Sequence, residues 1–220
     1  MESSAYRSSR WRRPPRAPPQ TLLSNLPFTY SHFPPSNKLK FLPKFYIDRH
    51  VSREAIIQEL FDHRNPFRPE YDEELIEWIL HNGRKLFLTI LDSHIGKTPF
   101  DNLCSLECFR ARGINDDHMP WTEASRFRPT SDPESEPWFH ATWGKHMDYF
   151  ERSQWRFLVP VITSDQFTYG LQPDQILPFL RIDGQPKEGA FGRVYCVQVE
   201  PSHLDIGVPV KHVSFPPRRV

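Results

Sequence analysis

Four residues near the end of the chain stand at a spacing that suits phosphate. In "KEGAFGRV", Lys187, Gly189, Gly192 and Val194 occupy the first, third, sixth and eighth places. Loops that cover nucleotide phosphates carry glycines at the first three of those places and valine at the last. Glycine lets backbone amides approach phosphate oxygens with no Cβ in the way. Ala190 fills a tolerant place between the glycines, and Phe191 sits where an aromatic side chain caps the turn. The residues that follow, "RVYCVQVE", alternate as a strand does, with Val194 and Cys196 on one side and Tyr195, Val197 and Val199 on the other. Farther on, "VPVK" ends at Lys211, a cation placed to meet α- and β-phosphates. The plainer reading is two ordinary hairpin strands joined by a glycine turn.

Other candidates are weaker. "HIGKTPF" contains Gly96-Lys97-Thr98, but a Walker loop needs a glycine five residues before Gly96, and Leu91 stands there. Cys104 and Cys108 share a helical face, yet zinc needs two further ligands at matching spacing. His94 and His118 form no ligand pair with them, so the thiols read as core or semi-buried. The ten histidines show no Ser/His/Asp or Cys/His order. The aromatic residues interleave with no basic clusters, so they read as core and not as a stacking platform for bases.

The elements that position these residues follow from local pattern. Ser52 caps a helix whose face carries Ile56, Ile57, Leu60 and Phe61. Asp72 caps "EELIEWILHN", with Leu75, Ile76, Ile79 and Leu80 on its apolar face, and Gly83 is expected to close it in a left-handed turn. "RKLFLTILDS" is apolar nearly all round and reads as the buried central element; periodicity alone does not separate helix from strand, and helix is favoured because Leu86, Phe87, Ile90 and Leu91 also fit that period. A further helix runs from Asp101 to a stop at Gly113, and "INDDHMPW" is a polar turn. The stretch from Thr122 to Pro137 reads as a loop. Trp143, Met147, Phe150 and Gln154 form a stripe on a helix, followed by extended "RFLVPVIT".

The totals bound the rest. In 220 residues there are 23 prolines against 9 glycines, and hydrophobic residues make up 38%. That composition predicts ordered segments joined by stiff connectors. Residues 1–45 read as a disordered tail, with "SSRWRRPPRAPPQ" concentrating arginine and proline. A net charge of +1 gives no global field for nucleic acid or membranes, and no apolar run reaches the ~20 residues of a membrane helix. Three cysteines make no disulfide framework. An intracellular protein, cytoplasmic or nuclear, is the expectation, with no membrane or nucleic-acid partner.

With those motifs in place, the chain resembles the fungal protein kinase-like proteins that carry a helical region upstream of the kinase domain. "GRKLFLTILDS", "CFRARGINDDHMPW", "FERSQWRFLVPVI" and "QILPFLRID" look like landmarks of that upstream region. "EGAFGRVYCVQVEPSHLD" looks like the entry into the kinase N-lobe. The resemblance implies serine/threonine-type phosphorylation with ATP and magnesium. It places Gly189, Ala190, Phe191, Gly192 and Val194 in the nucleotide loop and Lys211 at the phosphates. Two departures weaken the ATP site: Lys187 replaces the first glycine, and Pro186 removes a donor from the first strand.

The expected fold is α+β: a tail over 1–45, a helical module over 46–165, and a partial kinase N-lobe over 166–220. After Lys211 come only nine residues, without an H-R-D-x-x-x-x-N loop or D-F-G, so ATP binding is expected to be weak or lost and magnesium to belong to a full-length kinase. The expected function is a fragment or degenerate form of a protein kinase, inactive alone and with no catalytic residue assigned. The alternative is a non-enzymatic interaction module that binds a protein partner through its helical region.

Overall fold

The computed structural model describes residues 21–34, 38–61, 71–93, 99–122, 147–166, 169–189 and 192–206. Within them the chain is α+β, with seven α-helices and three two-stranded sheets.

The N-terminal elements are α1 (Leu22–Asn25), β1 (Thr29–Ser31), β2 (Leu39–Phe41) and α2 (Lys44–His50). They correct the expectation of a tail reaching residue 45. Proline and arginine dominate only up to Gln20; beyond it Leu26, Phe41 and Leu42 supply apolar side chains that are buried. β1 and β2 pair antiparallel, with Tyr30 opposite Lys40.

The helical body follows: α3 (Arg53–Leu60), α4 (Glu73–Asn82), α5 (Arg84–Asp92), α6 (Pro99–Ala111) and α7 (Met147–Gln154). Ser52 caps α3, its Oγ accepting from Ala55 N at 3.3 Å, and Asp72 caps α4, accepting from Leu75 N at 2.8 Å. Both caps arise as the sequence predicts. The apolar run 86–91 is indeed the central helix. Every residue from Leu86 to Leu91 is buried in α5, which packs against α7, α6 and α4. Burying each Leu, Phe or Ile of that run is worth about 1.5–3 kcal/mol.

Gly83 departs from expectation. Its φ is −136°, so it makes no left-handed stop. A Cβ there would meet the Trp78 ring at 3.1 Å, which makes close packing the reason for glycine. α4 and α5 meet at this residue, and a glycine N-cap offers α5 no side chain. The cap comes from afar instead. Asp116 accepts from Lys85 N at 3.0 Å and Leu86 N at 2.9 Å, from a short 3-10 turn (Asp116–His118) in the segment read as a polar turn. Burial pushes the Asp116 carboxyl up, and the two amides and the Lys85 charge pull against that. Gly113 does take the left-handed conformation, at φ 66°.

Asp116→Ala removes the side chain that caps α5 and is expected to cost about 1–2 kcal/mol. Urea denaturation of the variant should show a lower midpoint at unchanged slope. An unchanged midpoint would show that the remote cap is not holding α5.

The last elements are β3 (Ile162–Thr163), β4 (Phe179–Gly189), β5 (Gly192–Val199), a 3-10 turn (Pro201–His203) and β6 (Leu204–Asp205). β3 and β6 run parallel, and β4 and β5 form the longest hairpin. One large cluster fills the helical body. A second one, Phe41, Trp155, Val159 and Ile176 with Leu39, Leu158 and Leu180 against it, joins β2 and the end of α7 to the approach to β4.

Candidate nucleotide loop and the adjoining cleft

The phosphate-spaced residues lie at the tip of an antiparallel hairpin. Lys187 stands opposite Val194, Glu188 opposite Arg193 and Gly189 opposite Gly192. Gly192 has φ 159° and open space where a Cβ would be. Ala190, Phe191 and Lys211 lie outside the described residues, as do Gly96, Lys97 and Thr98 of the Walker-like motif and Trp143 of the expected stripe.

Pro186 has a local explanation. Between Asp183 (opposite Cys196) and Lys187 (opposite Val194), β4 advances four residues while β5 advances two. The surplus forms a bulge that holds Gly184 at φ 71° and Pro186. A bulge leaves residues unpaired, so a proline there sacrifices no ladder bond. Gly184 takes a conformation that a Cβ would strain, although nothing lies within 4 Å of that place.

The two faces of β5 differ. Tyr195, Val197 and Val199 are half-buried, and Phe33 meets the Tyr195 ring edge-on at 5.5 Å and the Phe179 ring at 5.9 Å. On the other face Cys196 and Gln198 are exposed, and Val194 is 66% exposed. The alternation in the sequence therefore emerges as one packed face and one bare face. The ion pairs on the hairpin, Arg181–Asp183 at 2.6 Å and Arg193–Glu188 at 3.3 Å, are surface pairs that contribute little.

Backbone and side-chain bonds fasten the hairpin to the body. His32 N donates to Phe179 O at 2.7 Å, and Glu200 N donates to Pro178 O at 2.8 Å. His203, 2% exposed, accepts from Lys44 N at Nε2 (2.9 Å) and donates from Nδ1 to Pro160 O (3.1 Å). Those bonds fix its neutral tautomer. Burial holds its pKa below the ordinary imidazole range.

Beside the hairpin's base lies an open cleft of about 760 Å³. Leu39, Trp155 and Ile176 of the second cluster line it. Asp148, Glu151 and Asp174 also line it, and among the described residues Arg152 is the one cation there. The sequence offered one signal for this, Asp148 and Glu151 three apart on α7; nothing in it ties Asp174 to them. Gln154, counted in the apolar stripe with Met147 and Phe150, is buried but polar in action. Its amide accepts from Trp121 N at 2.8 Å and donates to Trp121 O at 3.0 Å.

Cys108 is buried and Cys104 half-buried on α6, one core thiol and one semi-buried thiol. Among the described residues no group of three or more His, Cys, Asp or Glu side chains could hold a metal ion, and no helix is long and apolar enough to cross a membrane. No family model, no curated protein and no solved structure matches the chain.

Proposed function

We propose that β4 and β5 are the glycine-rich flap of a protein kinase-type N-lobe, carried on a helical module, in a fragment or degenerate form that is inactive by itself. The register carries this reading: Gly189 and Gly192 face each other at the tip, and Val194, opposite Lys187 two pairs in from it, presents a bare apolar side chain. That is the arrangement a flap needs to lay backbone amides on phosphates and a branched side chain on adenine. Lys187 takes the place of the first glycine, so its side chain meets the phosphates as a flexible cation where a kinase offers bare backbone. Binding is then weak, and the 220 residues supply neither the aspartate that accepts a hydroxyl proton nor the D-F-G aspartate for magnesium.

ATP titration followed by thermal melting tests the reading. At ATP tenfold above its Kd, stabilisation is about 1.4 kcal/mol, a rise of about 3–6 °C for a chain of this size. Lys211→Ala should remove the rise, and ATP hydrolysis should stay at the level of buffer. No rise at millimolar ATP, with Lys211→Ala indistinguishable from the parent, would end the nucleotide reading.

The cleft favours a second reading, a non-enzymatic interaction module. Apolar Leu39, Trp155 and Ile176 beneath an acidic margin suit a peptide better than they suit a nucleotide, whose phosphates the carboxylates would repel.

A further inference from the structure

We propose that the outer edge of β5 pairs antiparallel with β5 of a second copy of this chain, about a twofold axis at Cys196. The pairing uses the strand's edge, so it is independent of nucleotide binding at the tip. Three features carry it. The first is an open edge. β5 pairs with β4 on one side, and among the described residues nothing bonds along its other side. Free N–H and C=O groups on such an edge are a template for another strand. Nothing blunts it. The bulge and Pro186 lie in β4, while "VYCVQV", Val194 to Val199, holds no charge and no proline and is rich in strand formers.

The second is self-complementarity. β5 begins beside a cation, Arg193, and ends beside an anion, Glu200. An antiparallel copy brings opposite charges together at both ends of the pairing, whereas a parallel copy would bring like charges together. The axis at Cys196 sets Val194 opposite Gln198 and Tyr195 opposite Val197, and it leaves Arg193 and Glu200 one position apart. An axis at Tyr195 parts those charges by three positions. An axis at Val197 sets Arg193 against Pro201, past the end of the strand. With the axis at Cys196 the Tyr195 ring meets a β-branched side chain, a favourable cross-strand pair, on the face where both are already half-buried. The third is completion. Two strands alone make a marginal sheet, and the pairing builds four in the order β4-β5-β5-β4. Twofold closure leaves no β5 edge open to a third copy.

Thiol capture reads the register. Facing residues of an antiparallel pair stand about 4.5–5.5 Å apart at Cα, within reach of a disulfide. Diamide takes two electrons and two protons from two Cys196 thiols, leaving one disulfide and the corresponding hydrazine. Capture is expected to be on the order of tenfold faster in the parent than in Cys196→Ser/Gln198→Cys, whose exposed thiols would stand about 13 Å apart along the strand. Cys196→Ser alone corrects for Cys104 and Cys108. Sedimentation equilibrium reads the pairing without a thiol. Parent and Cys196→Ser should associate as the chain is raised towards about 1 mM. Cys196→Lys sets two cations on the axis and should weaken association by on the order of tenfold. Residue 196 is exposed, so these substitutions leave the core intact. Equal capture at 196 and 198, or equal association of Cys196→Lys and the parent, would overturn the proposal. A parent that stays monomeric would overturn it too, whether the edge is bare or is taken in cis by the segment around Lys211. ATP-dependent melting is measured separately, so failure of either result leaves the other standing.

Discussion

Gln154→Leu is expected to lose about 3–5 kcal/mol, the largest effect of any single substitution proposed for this protein. The side chain is fully buried on α7, and its amide pairs with both backbone groups of Trp121. Its Nε2 also donates to Glu151 O at 3.2 Å. Leucine fits the space but leaves the Trp121 N–H and C=O without these partners. Each stranded buried group costs about 1–3 kcal/mol, which is why the loss exceeds that of an ordinary hydrogen bond. For a chain of this size the melting temperature should fall by roughly 6–20 °C. Gln154→Glu separates bonding from packing. Its carboxylate can still accept from Trp121 N, but it cannot donate to Trp121 O. Protonation restores the donor, and burial raises the carboxyl's pKa, so the folded state binds the extra proton more tightly than the unfolded one. Stability of that variant should therefore recover as pH falls from 7 towards 5. A Gln154→Leu protein that melts with the parent would show that water replaces the amide and that α7 keeps its place without this bond.

The same residue marks where the sequence stopped being legible. Helical spacing put Gln154 in line with Met147 and Phe150, and that alignment is right. Periodicity reports which way a side chain points and says nothing of what it meets, so the bond to Trp121, thirty-three positions away, was invisible. Asp116 repeats the lesson. A polar turn was legible in "INDDHMPW", but the need it meets lies at Lys85 and Leu86, where Gly83 leaves α5 uncapped. By contrast the caps at Ser52 and Asp72 act within three residues of themselves, and both were readable. At the hairpin the alternation of β5 was readable for the same reason. The bulge that accommodates Pro186 was not, because it depends on the register against a second strand. The cleft is the extreme case, since its acidic margin draws on α7 and on Asp174 in a separate loop.

His203 should make the attachment of the hairpin sensitive to acid. The ring is 2% exposed and spends both nitrogens on backbone, Nε2 accepting from Lys44 N and Nδ1 donating to Pro160 O. A proton on Nε2 would turn that acceptor towards another donor and place a charge among buried groups. Burial is the leading cause of the depressed pKa, with the positive charges of Lys44 and Lys85 acting in the same direction. The bond to Pro160 O and the Glu200 carboxylate oppose them without prevailing. Phe41, edge-on at 5.8 Å, offers the imidazolium no compensating carboxylate. The unfolded chain therefore takes up this proton at a higher pH than the folded one. Its contribution is complete above the unfolded pKa of about 6.5 and is lost as pH falls below it, by up to about 1.4 kcal/mol per pH unit until the folded pKa is reached. His203→Phe keeps the ring and removes the titration. At pH 7.5 the variant should be less stable by about 2–3 kcal/mol, because the Lys44 N–H and Pro160 C=O lose their partners. Towards pH 5 the gap should narrow, since only the parent suffers the mismatch. Urea midpoints of the two proteins between pH 5 and 7.5 measure this directly. A constant gap across that range would mean that His203 does not titrate against folding, and that acid reaches the hairpin's attachment through some other group.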